Sequence, residues 1–520
     1  MSDAISFGEL EVVASMEESP ARAEPETPFR IALLGDWSGR ENRKLQTERI
    51  APKQCQPILI DRDNFDEVMS QLEVSLNLPV AENAPPLALR FNELDDFHPD
   101  RIYERVELFA ALRETRERLE DDSTYEAAAE EVRSWAGSKD KSEAIEPSSE
   151  STPPASDLQT SISDNGLLER MLEETDEPRE TSKNAPEDDE LRTLLREAVR
   201  PFLVSVDEAQ QASLVGSVDE ATSRLMRSIL HHQDFQSLEA AWRAAYLLVS
   251  RLETGVSLKL YLIDITKDEL ATDLNASEKL EATGVYKLLV EQSVNTFGGE
   301  LWGALTGNYT FNPVREDARM LGRLAKIAKR AGAPFIAGAS AHALGCESLA
   351  ETPDPDDWHS EIEAEDVKAW DAFRHLPEAS YVGLALPRFL VRLPYGALTE
   401  PLERFDFEEM PEGSKHENYL WANPSFACAL LLGQAFTEHG WDLQPGALQD
   451  IEGLPLHIYQ EEGDSYIKPC AETLLTMRAA EKILDAGLMP LLSFQGRDTI
   501  RVARFQSLAE PALPLAGLWH

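Results

Sequence analysis

Residues 137–160 read GSKDKSEAIEPSSESTPPASDLQT and hold almost nothing that a core could bury. With so little apolar area, burial cannot offset the entropy of ordering such a stretch. The stretch predicts two folded segments joined by a disordered linker over 137–164. The surroundings are acidic, with 24 acidic and 8 basic residues between Glu114 and Glu190. A solvated tether carries such charge more cheaply than a packed domain does. Just after the linker, GLLERMLEET (166–175) places Leu167, Leu168, Met171 and Leu172 on one helical face, and Pro178 bars a long continuation. A polar stretch, Asp176 to Asp189, follows and completes a 165–189 segment.

The flanks read as α/β. Residues 1–27 are a polar, acidic arm with one possible strand, Glu9, Leu10, Glu11, Val12 and Val13. Residues 28–136 predict a small α/β domain. Its strands are Phe29–Leu34, Ile58–Ile60 and Leu87–Phe91, and its helices are Asp63–Leu72, capped by Asp63 or Asn64, and a long one over Asp100–Leu119. Residues 190–507 predict a larger α/β domain, followed by a tail over 508–520. Helical periodicity marks Leu191–Val204, Ala221–Leu230, Phe235–Leu252, Thr283–Phe297, Asp317–Ala331, Ser425–His439 and Cys470–Ala486. Strand-like runs are Leu258–Ile265, Pro334–Gly338, Tyr381–Leu386, Phe389–Leu393, Met489–Phe494 and Ile500–Phe505. Helices alternating with strands imply α/β layering in both domains.

Charge and motifs narrow the function. A net charge of -45 leaves no basic face for nucleic acid or anionic membranes. The four cysteines, Cys55, Cys346, Cys428 and Cys470, form no CxxC pair and fit idle thiols in a reducing cytoplasm. The N-terminus lacks the basic and apolar regions of a signal peptide. Gly35-Asp36-Trp37-Ser38-Gly39 is not GxSxG, and Gly303–Gly307 has Asn308 where a phosphate loop needs Lys. His231 and His232 are adjacent, so on a helix they diverge rather than share a metal. Asp61, Asp63 and Asp66 lack the Gly and terminal Glu of a calcium loop. His416-Glu417 lacks the second His of HExxH, and Asp95-Asp96-Phe97-His98 before Pro99 reads as a helix cap. No motif supports an enzyme, a cofactor or a metal.

Two blocks carry a resemblance. Phe29-Arg-Ile-Ala-Leu-Leu-Gly-Asp-Trp-Ser-Gly39, Ile60-Asp-Arg-Asp-Asn-Phe-Asp66 and Leu94-Asp-Asp-Phe-His-Pro99 resemble, in order and spacing, the small subunit (TssB, or VipA) of the type VI secretion contractile sheath. Residues 165–507 resemble its large subunit (TssC, or VipB). The segments that carry this are Ile229–Arg243, Thr296–Gly299, Ala333–Gly338, Tyr381–Leu390, Arg392-Leu-Pro-Tyr-Gly396 and Glu452-Gly-Leu-Pro455. The resemblance implies a fusion of two non-enzymatic subunits that are normally separate, intertwined chains. Joining them fixes a one-to-one ratio and raises effective concentration. It further implies a cytoplasmic bacterial polymer around a hexameric inner tube, with baseplate contacts and no membrane insertion. An AAA+ unfoldase of the ClpV type would recycle it through the helix of Leu167, Leu168, Met171, Leu172 and Thr175. The arm at Glu9–Val13 would be a strand shared between copies. Large subunits of the family continue beyond the counterpart of Ser507, where this sequence has only LAEPALPLAGLWH. That departure leaves an alternative: a sheath-derived accessory, capping or baseplate factor.

Overall fold

The computed structural model describes residues 5–10, 23–24, 26–45, 55–80, 85–136, 211–293, 299–359, 362–411, 413–461 and 463–519. The helix expected over Leu191–Val204, the 137–164 linker and the GLLERMLEET segment lie outside them.

The first strand sets the architecture. β1 (Phe29–Gly35, FRIALLG) has apolar side chains at nearly every position, so both of its faces must be covered. The chain continues through β2 (Ile58–Ile60), α1 (Phe65–Gln71), β3 (Ser75–Leu78), β4 (Leu87–Arg90) and α2 (Pro99–Arg105). It then runs through α3 (Glu107–Glu120), α4 (Tyr125–Ala136), α5 (Gln211–Leu230) and α6 (Gln233–Arg251). From there an alternation sets in: β5 (Leu258–Asp264), α7 (Lys267–Asn275), β6 (Trp302–Phe311), α8 (Arg315–Ala331), β7 (Phe335–Ala339), α9 (Ala364–Arg374) and β8 (Val382–Leu386). The short strands β9 (Phe389–Leu390) and β10 (Trp421–Ala422) precede α10 (Ser425–His439) and β11 (Asp450–Ile451). A hairpin of β12 (His457–Glu461) and β13 (Asp464–Lys468), then α11 (Met477–Asp485), β14 (Met489–Ser493) and β15 (Ile500–Val502), complete the chain.

Nine strands form one sheet in the order β11-β15-β14-β8-β7-β6-β1-β5-β2. β1 lies between β5 and β6 and is parallel to both, Leu33 opposite Leu262 on one side and Thr306 on the other. Ala32 and Leu34 face a core shared with Leu321 and Leu324 of α8. On the opposite face, Phe29 stacks on Phe436 of α10 with ring centroids 4.7 Å apart. Trp37, just beyond β1, packs edge-on against Trp242 of α6.

The described residues group into two compact units, and neither follows the sequence segments. The first holds residues 1–80, 86–106 and 226–520, so β1 to β4 and the strands from β5 onward build the same body. The second holds 81–85 and 107–225. In it Arg116 pairs with Asp219 at 2.7 Å, and the Gln211 side chain donates to the Leu119 carbonyl at 2.7 Å. Both units therefore draw on sequence from either side of the linker.

Several elements differ from the expected ones. The helix expected over Asp100–Leu119 breaks at Val106, whose backbone is extended (φ -84°, ψ 124°). Tyr103 of α2 and Phe109 of α3 are buried in different units. Cys470–Ala486 is helical only from Met477. The Cys470 carbonyl instead accepts the Leu390 N–H, and Thr476 caps α11 by accepting the Ala479 N–H. Thr283–Phe297 begins as one α-turn that widens into a π-turn at Lys287–Glu291, with Asp273 accepting the N–H groups of Gly284 and Val285. Gly303 and Gly307 lie inside strand β6 rather than in a loop, packed on Phe29 and Phe335. α4, α7, α9, β3, β6 and β10 to β13 are additions to the expected set.

Candidate assembly surfaces

The motifs that raised chemical questions are structural. At the end of β1, Asp264 accepts the N–H groups of Trp37 (2.8 Å) and Ser38 (3.2 Å) and the Ser38 hydroxyl (2.8 Å). Asp36 accepts the N–H groups of Arg40 and Glu41, both at 2.9 Å. Burial raises both carboxyls above their usual range, but their oxygens are already spent on this turn. His98 and His232 play one role: each Nδ1 accepts an N–H from two residues on (Asp100 and Asp234, both 3.2 Å) and caps α2 or α6. Asp61 accepts the N–H groups of Asp63 and Asn64. Asn64 occupies the cap position of α1, but its side chain turns back to Asp61 and Leu59 rather than capping the helix. Among the described residues no His, Cys, Asp or Glu cluster could hold a metal, and no helix is long and apolar enough to cross a membrane.

Sequence reading missed a network of buried charges. Glu239 and Arg243 lie one turn apart on α6, while Arg392 and Tyr395 come from the loop after β9. The Arg392 guanidinium donates to Glu239 at 2.8 Å and to Glu409 at 2.8 and 3.1 Å. Arg243 donates to Glu239 at 2.6 Å and to the Tyr395 hydroxyl at 3.0 Å, and the Tyr395 N–H donates to Glu409 at 2.7 Å. Two buried carboxylates are thus neutralised by the buried Arg392 and the partly buried Arg243, with His231 3.5 Å from Glu409. Burial by itself would raise the Glu409 pKa; Arg392 and the surrounding hydrogen bonds outweigh it and bring it down to about 2. The available signal was the polar, charged residues inside Ile229–Arg243 and Arg392–Gly396. Sequence alone could not say that these segments meet.

Two further features stand apart from this network. The first involves the arm, of which Glu9 and Leu10 are described; Glu11, Val12 and Val13 lie outside the described residues, as do Leu167, Leu168, Met171, Leu172 and Thr175. Glu9 forms a parallel bridge with Lys279 of its own chain, its N–H donating to the Glu278 carbonyl (2.7 Å) and its carbonyl accepting the Leu280 N–H (3.0 Å). The second is the β12–β13 hairpin. Its cross-strand pair Ile458 and Ile467 is 56% and 40% exposed, and Tyr459 stacks on Tyr466. The hairpin is anchored at its base, where His457 and Lys468 are opposite in register. The buried Tyr419 hydroxyl and His457 Nδ1 share a hydrogen bond at 2.7 Å, and Lys468 contacts His416, which in turn meets Glu472 at 3.2 Å.

Comparison with known families matches these features to one assembly. Residues 11–135 match the VipA family of type VI secretion systems. Residues 212–509 match the VipB tail sheath N-terminal domain. The chain is similar to the type VI secretion system sheath protein TssC1 of Pseudomonas aeruginosa, 33% identical over 354 residues, 66% of this chain and 70% of the relative. The matched proteins are structural sheath components. The chain belongs to the type VI secretion sheath family, with the VipA and VipB parts fused in one polypeptide.

Proposed function

We propose that this chain is the repeating subunit of a contractile sheath that polymerises around a hexameric inner tube and shortens to drive it out of the cell. The observation that carries this reading is the seat of β1. A strand from the VipA-like part is hydrogen-bonded on both edges by strands of the VipB-like part, so neither part forms the sheet alone. Fusing them delivers the two parts one to one, as a helical polymer of identical repeats requires. The arm at Glu9–Val13 serves as a strand shared between copies, because main-chain hydrogen bonds hold neighbours while side-chain contacts slide. Polymerisation takes place in the bacterial cytoplasm and starts on a baseplate. An AAA+ unfoldase of the ClpV type dismantles the contracted form by gripping Leu167, Leu168, Met171, Leu172 and Thr175.

Electron microscopy of the purified full-length protein, with and without its tube partner, tests the reading. Tubes of regular repeat are expected; discrete particles at every concentration would replace the sheath by a capping or baseplate factor. For the unfoldase, Leu168→Asp with Leu172→Asp should abolish pull-down by the unfoldase N-domain and leave sedimentable assembly intact. Undiminished pull-down would remove this segment as the handle.

A further inference from the structure

The seat of the arm is more elaborate than a chance contact. α8 is a strong helix former apart from Gly322, placed at its middle. A Cβ at Gly322 would stand 2.2 Å from the Phe7 ring, so the missing side chain is the space the ring fills. Gly8 follows with φ +73°, a conformation that favours glycine, and its α-carbon lies over Leu280. One turn beyond Gly322, the Lys326 ammonium donates to the Gly8 carbonyl at 2.6 Å, and the Ser6 hydroxyl donates to Glu278 at 2.6 Å. Ile5, Phe7 and Leu10 pack on the core that contains Leu280 and Leu321. The floor of the groove is set without the arm: the fully buried Arg323 donates to the carbonyls of Leu274 (2.5 Å) and Ser277 (2.8 Å) and so fixes the 274–280 segment. The occupant Ile5–Leu10 precedes the span that matches VipA, whereas the groove lies within the span that matches VipB.

We propose that this groove is a docking site for an extended peptide bearing an aromatic residue followed by glycine, occupied in the free chain by its own Ile5–Leu10, and that this docking holds the arm back from neighbouring copies. The second half rests on the reading of Glu9–Val13 as a strand shared between copies. While Glu9 spends both its N–H and its carbonyl on Glu278 and Leu280, and Phe7 fills the Gly322 notch, the arm is not free to pair elsewhere. Release of residues 5–10 is then a step that precedes assembly. Docking within one chain needs no second molecule, so crowding of copies at a growing end is what tips the balance.

Two full-length variants test it. Gly322→Ala favours the helix itself and evicts Phe7 by steric contact alone; Phe7→Asp removes the apolar anchor from the other side. Hydrogen exchange reads docking. The Glu9 and Leu280 amides should be protected in the parent chain and exchange about tenfold faster in both variants, with cooperative unfolding of the rest of the chain retained. Sedimentation and light scattering read assembly, which should begin at lower protein concentration in both variants. An unprotected Glu9 amide in the parent chain would overturn the docking site. Faster exchange with assembly unchanged or weakened would overturn the latch. Deleting residues 1–27 separates the two readings. If that deletion leaves assembly intact, the shared-strand reading fails and takes the latch with it, while exchange still decides the groove. If deletion weakens assembly and the release variants do too, the latch alone fails.

Discussion

β1 and the arm both come from the first 35 residues and both pair in parallel with a later part of the chain, yet they are held in different ways. β1 has a partner on each edge over most of its length, and Leu33 is fully buried. Among its described residues the arm has one bridge, at Glu9, and Ile5, Phe7 and Leu10 are only partly buried. The difference is one of removability. Withdrawing β1 would open the sheet between β5 and β6, whereas withdrawing the arm uncovers one groove. The same chemical change should therefore have unequal effects. Leu33→Asp buries a charge with no partner and should cost about 4 kcal/mol or more, leaving little folded protein. Phe7→Asp should cost about 1 kcal/mol or less in a denaturant titration. Equal losses would place the arm in the same cooperative unit as β1 and end the distinction.

The buried ion network belongs with β1 on the fixed side. Glu409→Ala would leave the Arg392 guanidinium without half of its partners in a dry site, and the expected loss is about 3–5 kcal/mol. The same carboxylate gives a pH signature. Its folded-state pKa, about 2, lies below the ordinary 4.5, so the unfolded chain takes up the proton first. Its contribution is complete above pH 4.5 and is lost as pH falls from 4.5 toward 2. Glu472 follows the same course: burial would raise it, but His416 and Arg388 hold it at about 2. Chemical denaturation between pH 6 and 3 should show stability falling across this window, and less steeply in Glu409→Gln. A parallel fall in both proteins would assign the acid sensitivity elsewhere.

What the sequence disclosed follows from which interactions are local. Apolar runs such as Phe29–Leu34 and Leu258–Ile265, and the one-sided helix of Asp317–Ala331, announce themselves by period and match β1, β5 and α8. The α/β class was legible for the same reason. The interleaving was not, because nothing local in Phe29–Gly35 says that its neighbours are Leu258–Asp264 and Trp302–Phe311. β6 was hidden by Gly303 and Gly307, which weaken a strand signal yet are needed where Phe29 and Phe335 press on the strand. The Glu239–Arg392–Glu409 network was hidden because charged residues read as surface until their partners are known. The arm was read as one possible strand, of which the described residues hold the bridge at Glu9. Its seat was not legible, since Gly322 in a helix pattern looks like a mere weakness.

The β12–β13 hairpin lies between the two extremes, and the smallest expected effect belongs to it. Two strands alone are marginal in water, so the hairpin leans on its base. There His457 shares a hydrogen bond with the Tyr419 hydroxyl, which burial keeps protonated, while Lys468 sits directly opposite in register and the Glu409 charge acts on the ring. Burial lowers the His457 pKa below its usual 6.5; the Glu409 charge opposes that shift and Lys468 adds to it. Neutral His457 is the form that can accept the Tyr419 proton. The unfolded chain therefore protonates first, and the anchor is complete above pH 6.5 and weakens as pH falls below it. The effect should be small, felt in the hairpin and not in the sheet. Amide exchange of Tyr459, Gln460 and Tyr466 should quicken, after correction for the intrinsic pH dependence, between pH 7 and 5, while amides of β1 stay unmoved. In Tyr419→Phe the hairpin should be loose throughout and the pH step absent. A step that survives in Tyr419→Phe, or one that β1 shares, would mean that the hairpin is fixed as firmly as the sheet.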